Sequence, residues 1–431
     1  MNCSPNIVIT GLGAVSGAGL KIDSIWDAIL HGRSAVSSIS QWDARRWPIR
    51  VAAEVKGVDN RTLVEDRKLH KLISRTDLFG LYAADVAIQQ SGLLAHRETL
   101  DAGATACFND RSGVFAGSGG GVYRSNYDFF PALTTAAGNM ETFGREFSAV
   151  VNPMWLLKNL PNNVLCHVGI RYNFKGTNAC VTNQCVGGVM AVAEAAAAIR
   201  AGEADRAVAI GHDSPIEPET VFNYHRLGLL AQDAVRPFDR DRTGTVFGEG
   251  AAAVVFEQAA EAQARRAAIL GEFLGSGCAT EATGILDVRS DGDGLSRAID
   301  FALMDAGVSP GAVGMIVAHG NGTRASDASE ARAIRRVFGE APPPVTGFKW
   351  VYGHLIAASG VIDLALALTA LRQQIVPGIP TLNSLDPDLS PFPVSSAPQK
   401  PRGDIALVLC RGFAGMNVAL VVRASATMAG G

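Results

Sequence analysis

TNQCVGGVMAVAEAAAAIRAGEAD, residues 182–205, decides how this chain is built. After Cys185 it runs through glycine, alanine and valine, with almost nothing polar to turn toward water before Gly202 stops it. A helix with small apolar side chains on nearly every face has no solvent side, so it must lie between two layers. A second segment of the same character, GHLIAASGVIDLALALTALRQ at 353–373, places His354 169 residues after Cys185. That spacing is too long for a solenoid repeat. Around the first segment, NIVITGLG (6–13), SGVFAGSGG (112–120), DRAVAIGHD (205–213) and GAAAVVFEQ (250–258) read as strands, and 24–30 and 78–90 as helices. Around the second, AAILGEFLGSG (267–277), GMIVAHGNG (314–322), DIALVLCRG (404–412) and NVALVVRA (417–424) read as strands, with a helix at 296–306. The order strand, helix, strand, buried helix, strand, strand occurs twice. This predicts an internally duplicated, layered α/β fold with halves at 1–257 and 258–431.

Composition excludes several classes of function. A chain of 431 residues, 48% hydrophobic, fills a large core. A net charge of −3, from 41 acidic against 38 basic side chains, gives no global field for nucleic acid or an anionic membrane. The start MNCSPNIVITGLG lacks a basic segment followed by a long apolar one, and no run of about twenty apolar residues occurs, so a cytoplasmic protein is expected. Seven cysteines without a CxxC pair fit reduced thiols. Eight histidines without HExxH or Cys/His spacing predict no metal. GSGGG at 117–121 has no following Lys-Ser/Thr and reads as a turn, not a phosphate cradle.

Cys185 stands at the mouth of its helix. Free backbone N–H groups and the helix dipole there favour negative charge, which makes a thiol more readily a thiolate. The alternative is a buried structural cysteine acting as a small hydrophobe. If both small-residue helices are central, their N-termini converge and bring Cys185 of one half to His354 of the other.

Four ordered blocks carry a resemblance: NQCVGGV (183–189), VAHGNGTRASDASEA (317–331), FKWVYGHLIAASG (348–360) and RGFAGMN (411–417). They resemble the signature blocks of β-ketoacyl carrier-protein synthases of the condensing type, within the thiolase-like superfamily. The likeness runs from VITGLGAVSGAG (8–19) through VRPFDRDRTGTVFGEGAA (235–252) to the last strand. It implies a five-layered α-β-α-β-α fold and decarboxylative condensation of an enzyme-bound acyl chain with malonyl carrier protein, giving 3-oxoacyl carrier protein. No cofactor is implied beyond the phosphopantetheine that arrives on the carrier protein.

By that resemblance Cys185 accepts the acyl chain. His319 and His354 bind the extender's thioester carbonyl, where negative charge develops as carbon dioxide leaves. Lys349 matches the family's buried lysine and Glu330 its acidic counterpart, with Asn321, Thr323 and Asp327 around them. The Phe413 N–H joins that of Cys185 in an oxyanion hole, and the Phe413 ring gates the cysteine. In DRKLHKLISR (66–75), Arg67, Lys68 and Lys71 fall on or beside one helical face, and by the resemblance a basic helix at this place docks the acidic carrier protein. A dimer is implied, with an identical chain or a chain-length-factor-like subunit, and residues 150–169 contribute to its interface and to the acyl pocket.

Gln184, Val186, Asn321, Tyr352, Ala414 and Met416 depart from the fatty-acid pattern. Each is expected to alter the lining near the thiol, which favours a type II polyketide or aryl-polyene-like pathway. Three alternatives compete. A non-condensing chain-length-factor-like subunit typically lacks the cysteine, which is present here. A hydrolytic cysteine enzyme needs a water route and one base. A biosynthetic thiolase uses a second cysteine, but Cys410 ends a strand and reads as core.

Overall fold

The computed structural model describes residues 5–120 and 129–425; Cys3 and Gly121 lie outside them. Ten strands form the main sheet. The first half supplies β1 (Ile7–Ser16), β2 (Ser112–Ser118), β3 (Asn178–Thr182), β4 (Arg206–Asp213) and β5 (Gly250–Gln258). The second supplies β6 (Gly271–Thr280), β7 (Met315–Val317), β8 (Val345–Thr346), β9 (Ile405–Gly412) and β10 (Met416–Ala424). Their order across the sheet is β8-β7-β9-β10-β6-β1-β5-β4-β2-β3. Read outward from the centre, each half repeats one order: first strand, fifth, fourth, second, third. In each half the second strand runs parallel to its two neighbours, and the remaining pairs are antiparallel. The halves join where Ile7–Ile9 of β1 faces Phe273–Gly271 of β6.

Five helices set the layers. α1 (Arg75–Ser91) starts on a reciprocal cap between Ser74 and Asp77 and ends at Gly92, whose φ of 69° closes the helix. It covers the outer face of the first half, and α3 (Asp293–Ala306) covers that of the second. Between the halves lie α2 (Gly187–Arg200) and α5 (Ser359–Gln373). α4 (Arg324–Phe338) connects β7 to β8. The arrangement is the α-β-α-β-α stack that the resemblance implies. All ten residues of β1 are buried, as a strand covered on both faces requires.

The two central helices differ in one respect from expectation. Every residue of α5 from Ser359 to Leu368 is buried, whereas α2, which lies toward the β2–β3 edge, exposes Glu194 and Ala197. Their contact is backbone against backbone: a Cβ on Gly188 would lie 2.2 Å from the Ala357 carbonyl oxygen. Small residues are what allow that approach. Gly117 permits the same between β2 and the start of α2, where a Cβ would fall 2.2 Å from Gly187 O.

The duplication also has a different register from the Cys185–His354 spacing. α2 begins at Gly187 and α5 at Ser359, and each follows a short 3-10 turn, Gln184–Val186 and Ile356–Ala358. Gln184 and Ile356 share a left-handed backbone, with φ of 44° and 47°. The offset is therefore 172 residues (184 to 356, 187 to 359), and the counterpart of Cys185 is Ala357. His354 precedes that point by three residues, on the loop entering the turn.

Candidate active site

The N-terminal ends of the two central helices meet at a cavity of about 90 Å³ lined by Cys185, His319, His354, Phe413, Asn321 and Thr323, among others. Cys185 sits in the 3-10 turn before α2 and is 6% exposed. It faces the glycine loop after β9 closely: a Cβ on Gly412 would stand 3.7 Å from its Cβ. The Cys410 thiol donates to the Cys185 carbonyl at 3.2 Å, so that second cysteine holds the turn from within the core.

Burial pushes the Cys185 thiol up to about 12, Asp213 adds to this, and the charge of Lys349 opposes it. The sequence pointed to an easily formed thiolate. Desolvation, the largest influence on the thiol, works against the thiolate, while the lysine and the helix terminus work for it.

The two imidazoles are held alike. His319 follows β7, and its Nδ1 accepts the Arg411 N–H at 3.3 Å. Nδ1 of His354 accepts the Ile356 N–H at 3.0 Å, with the Ser359 hydroxyl 3.2 Å away. A ring nitrogen that accepts a backbone N–H carries no proton, so in each neutral ring the proton is on Nε2. The rings stand edge to face with centroids 5.2 Å apart. Burial lowers both well below the ordinary histidine range, and Lys349 reinforces this for each; His354 and Arg411 also lower His319. The pair is thus neutral, and two N–H groups are available to an oxygen that gains negative charge.

Lys349 and Glu330 both act on the histidines, Lys349 through its charge and Glu330 through the backbone, without a direct ion pair between them. The Glu330 carboxylate accepts the backbone N–H groups of His319 (2.7 Å) and Gly320 (2.9 Å), fixing the loop that carries the imidazole. The close counter-charge of Lys349 is Asp363 on α5, at 3.2 Å, and the Tyr352 hydroxyl donates to the other oxygen of that carboxylate. All three residues are buried. Asp363 was missed, although its signal is plain: one acid in GVIDLALALTAL, a helix with no polar face.

Asp327 accepts from Phe238 N–H (2.8 Å) and Gly322 N–H (3.2 Å) and lies 3.6 Å from Arg242, tying 235–242 to the histidine loop. Burial pushes it up to about 7. Asn321 Oδ1 takes both the N–H (2.9 Å) and the hydroxyl (2.8 Å) of Thr323. The Arg411 guanidinium, also missed, binds Glu281 (2.6 Å), Asn417 (2.8 Å) and the Ser326 carbonyl (2.9 Å), and all four residues line the pocket.

Phe413 lines the pocket with its ring 5.2 Å from that of Tyr224. Of the six departures, only Asn321 lines the cavity. Val186 and Tyr352 are core residues, Ala414 is exposed, and Gln184 turns its amide to Gly119 O at 2.8 Å. The expectation that all six reshape the lining is therefore corrected; Tyr224 and Thr245, not singled out in the sequence, contribute instead. Arg67, Lys68 and Lys71 are exposed: Lys71 ends the single 3-10 turn Leu69–Lys71, and Arg67 and Lys68 lie beside it on the preceding turn.

Comparison with known proteins follows this geometry. Residues 4–262 match the family model "Beta-ketoacyl synthase, N-terminal domain", and residues 270–384 match "Beta-ketoacyl synthase, C-terminal domain". The 3-oxoacyl-[acyl-carrier-protein] synthase 2 of Coxiella burnetii is 32% identical, covering 96% of this chain and 98% of its own. Among solved structures, the ishigamide ketosynthase/chain length factor superposes with a TM-score of 0.86 at 26% identity, covering 98% of this chain and 100% of that one. A type II polyketide ketosynthase, in complex with its acyl-carrier protein and bound to the hexaketide, gives 0.81 at 26% identity with the same coverage.

Proposed function

The chain belongs to the β-ketoacyl synthase family, and from that premise we propose that it extends acyl chains on a carrier protein in a specialised, polyketide-like pathway. It is a condensing acyltransferase. The observation that carries the reading is one cavity shared by a thiol and two imidazoles whose N–H groups are fixed by backbone donors to their other nitrogens. In the first half-reaction the Cys185 sulfur takes the acyl group from a carrier-protein thioester and its proton passes to the departing thiol. In the second, His319 and His354 donate to the carbonyl oxygen of the malonyl thioester. The bond to the carboxylate breaks, carbon dioxide leaves, and the carbanion attacks the carbonyl carbon of the Cys185 thioester; the carbon–sulfur bond then breaks, the Cys185 thiolate takes up a proton, and 3-oxoacyl carrier protein is released. A chamber walled by Leu229, Tyr224, Ile285 and Phe413 protects that carbanion from water. Phosphopantetheine enters on the carrier protein and leaves with it, so the chain carries no cofactor of its own.

Carrier-protein docking is assigned to the exposed turn bearing Arg67, Lys68 and Lys71 on charge complementarity, and the ketosynthase–carrier complex among the structural relatives supports a carrier protein as the partner. A dimer is supported by the edge strand β3, paired on one side, and by Val150, Leu156 and Leu157, which are exposed at 52%, 63% and 45%. The partner is a second copy or a chain-length-factor-like subunit. The reaction belongs to the cytoplasm, where carrier-protein thioesters are made. The longest apolar helical stretch among the described residues, Ile356–Gln373, is buried between the halves.

The test offers saturated and conjugated acyl carrier proteins, each with malonyl carrier protein, and identifies the released 3-oxo products. Faster extension of the conjugated chains is expected. Equal turnover of both sets would overturn the specialised reading and leave the condensing one.

A further inference from the structure

The cavity wall contains a hydroxyl that the protein itself does not use. Thr245 lines the cavity with Cys185, His319 and His354, is 3% exposed, and its Oγ1 has no hydrogen-bond partner among the described residues. Its backbone is committed: the N–H donates to Leu229 O at 2.8 Å, and the carbonyl accepts from Ala231 N–H at 2.7 Å. The position is fixed, and only rotation about Cα–Cβ remains to aim the hydroxyl. Valine would fill the same volume without a hydroxyl to strip of water, and a buried hydroxyl left unpaired destabilises the fold. A partner that arrives with the substrate removes that penalty.

The location says which part of the substrate. Val246, the next residue, accepts the His354 N–H at 2.7 Å, and Gly248 N–H donates to His354 O at 3.0 Å. Thr245 therefore stands on the His354 flank, where the extender's carbonyl is held. The neighbouring hydroxyl, that of Thr323, is already bound to Asn321.

We propose that the Thr245 hydroxyl donates to the carboxylate of the malonyl extender and holds it for departure; this rests on the condensing reaction above. As the carbon–carbon bond breaks, its electron pair passes to the enolate under the two imidazoles, and the carboxylate leaves as neutral carbon dioxide. The hydrogen bond is strongest to the charged ground state and weakens as the reaction proceeds. It serves binding of the extender, not the chemical step.

Thr245→Val and Thr245→Ser separate this role from a structural one. A hydrogen bond to a charged group is worth about ten-fold or more in binding. Thr245→Val is expected to raise KM for malonyl carrier protein by about that factor, with kcat unchanged or higher. Acylation of Cys185 in the absence of extender stays at the wild-type rate, and Thr245→Ser restores KM. A KM for Thr245→Val within about two-fold of wild type, a defect confined to Cys185 acylation, or failure of the serine variant to rescue would each overturn the assignment. Failure of the wild-type protein to form 3-oxo product would overturn the condensing reading and this inference with it.

Discussion

Removing the Asp363 carboxylate tests how the charged core beneath the site is built. Lys349 and Asp363 have side chains 1% and 0% exposed and stand 3.2 Å apart, with the Tyr352 hydroxyl on the second carboxylate oxygen. Taking one partner from a buried ion pair costs about 3–5 kcal/mol, because the remaining charge stays buried without compensation. An orphaned hydroxyl adds about 1–3 kcal/mol where no other acceptor is reached. Asp363→Ala removes both interactions. Asp363→Asn keeps an acceptor for Tyr352 and removes only the charge, so its loss is about 3 kcal/mol. Tyr352→Phe leaves the ion pair intact and costs about 1 kcal/mol. The expected order is Ala, then Asn, then Phe, read as denaturant midpoints at one protein concentration. If Asp363→Asn were as stable as wild type to within about 1 kcal/mol, Lys349 would not depend on this carboxylate, and the reasoning would fail.

Three further outcomes follow from the imidazoles. His319→Ala and His354→Ala should each lower condensation by about 10²–10³-fold while Cys185 still takes up acyl groups from a carrier protein, checked by following both half-reactions separately. Because burial and Lys349 hold both rings well below their ordinary value, the acid limb of the condensation rate should fall with a midpoint well under pH 6.5. The same shift has a stability consequence. The unfolded chain binds these protons more readily than the folded one, so the pair costs nothing at pH 8 and lowers stability progressively as pH falls below about 6.5. Unfolding midpoints across that range check the sign.

Much of this was legible in the sequence because burial on both faces leaves a strong trace. Apolar strands and the segments at 182–205 and 353–373 give the layers, and the duplication repeats their order. The register of the repeat was not legible. Motifs align Cys185 with His354, but the backbone aligns it with Ala357, since only the φ values of Gln184 and Ile356 mark the equivalent turns. The nucleophile and histidines lie in glycine-rich blocks that close approach imposes, so their positions stood out. Their supports did not, because a contact such as Glu330 to two backbone N–H groups, or Asp363 to Lys349, is a property of the assembled core. The basic segment at 66–75 has charges at helical spacing, yet Asp66 accepts the Lys68 N–H at 2.9 Å and the chain turns there instead.

The most direct test is peptide mapping by mass spectrometry after incubation with an acyl carrier protein alone, then with malonyl carrier protein added. The account predicts an acyl mass on the peptide containing Cys185 in the first stage. In the second, that mass should be lost as carbon dioxide and 3-oxoacyl carrier protein appear in equal amounts. Acylation at Cys410 in place of Cys185, or carbon dioxide released without a new carbon–carbon bond, would contradict it.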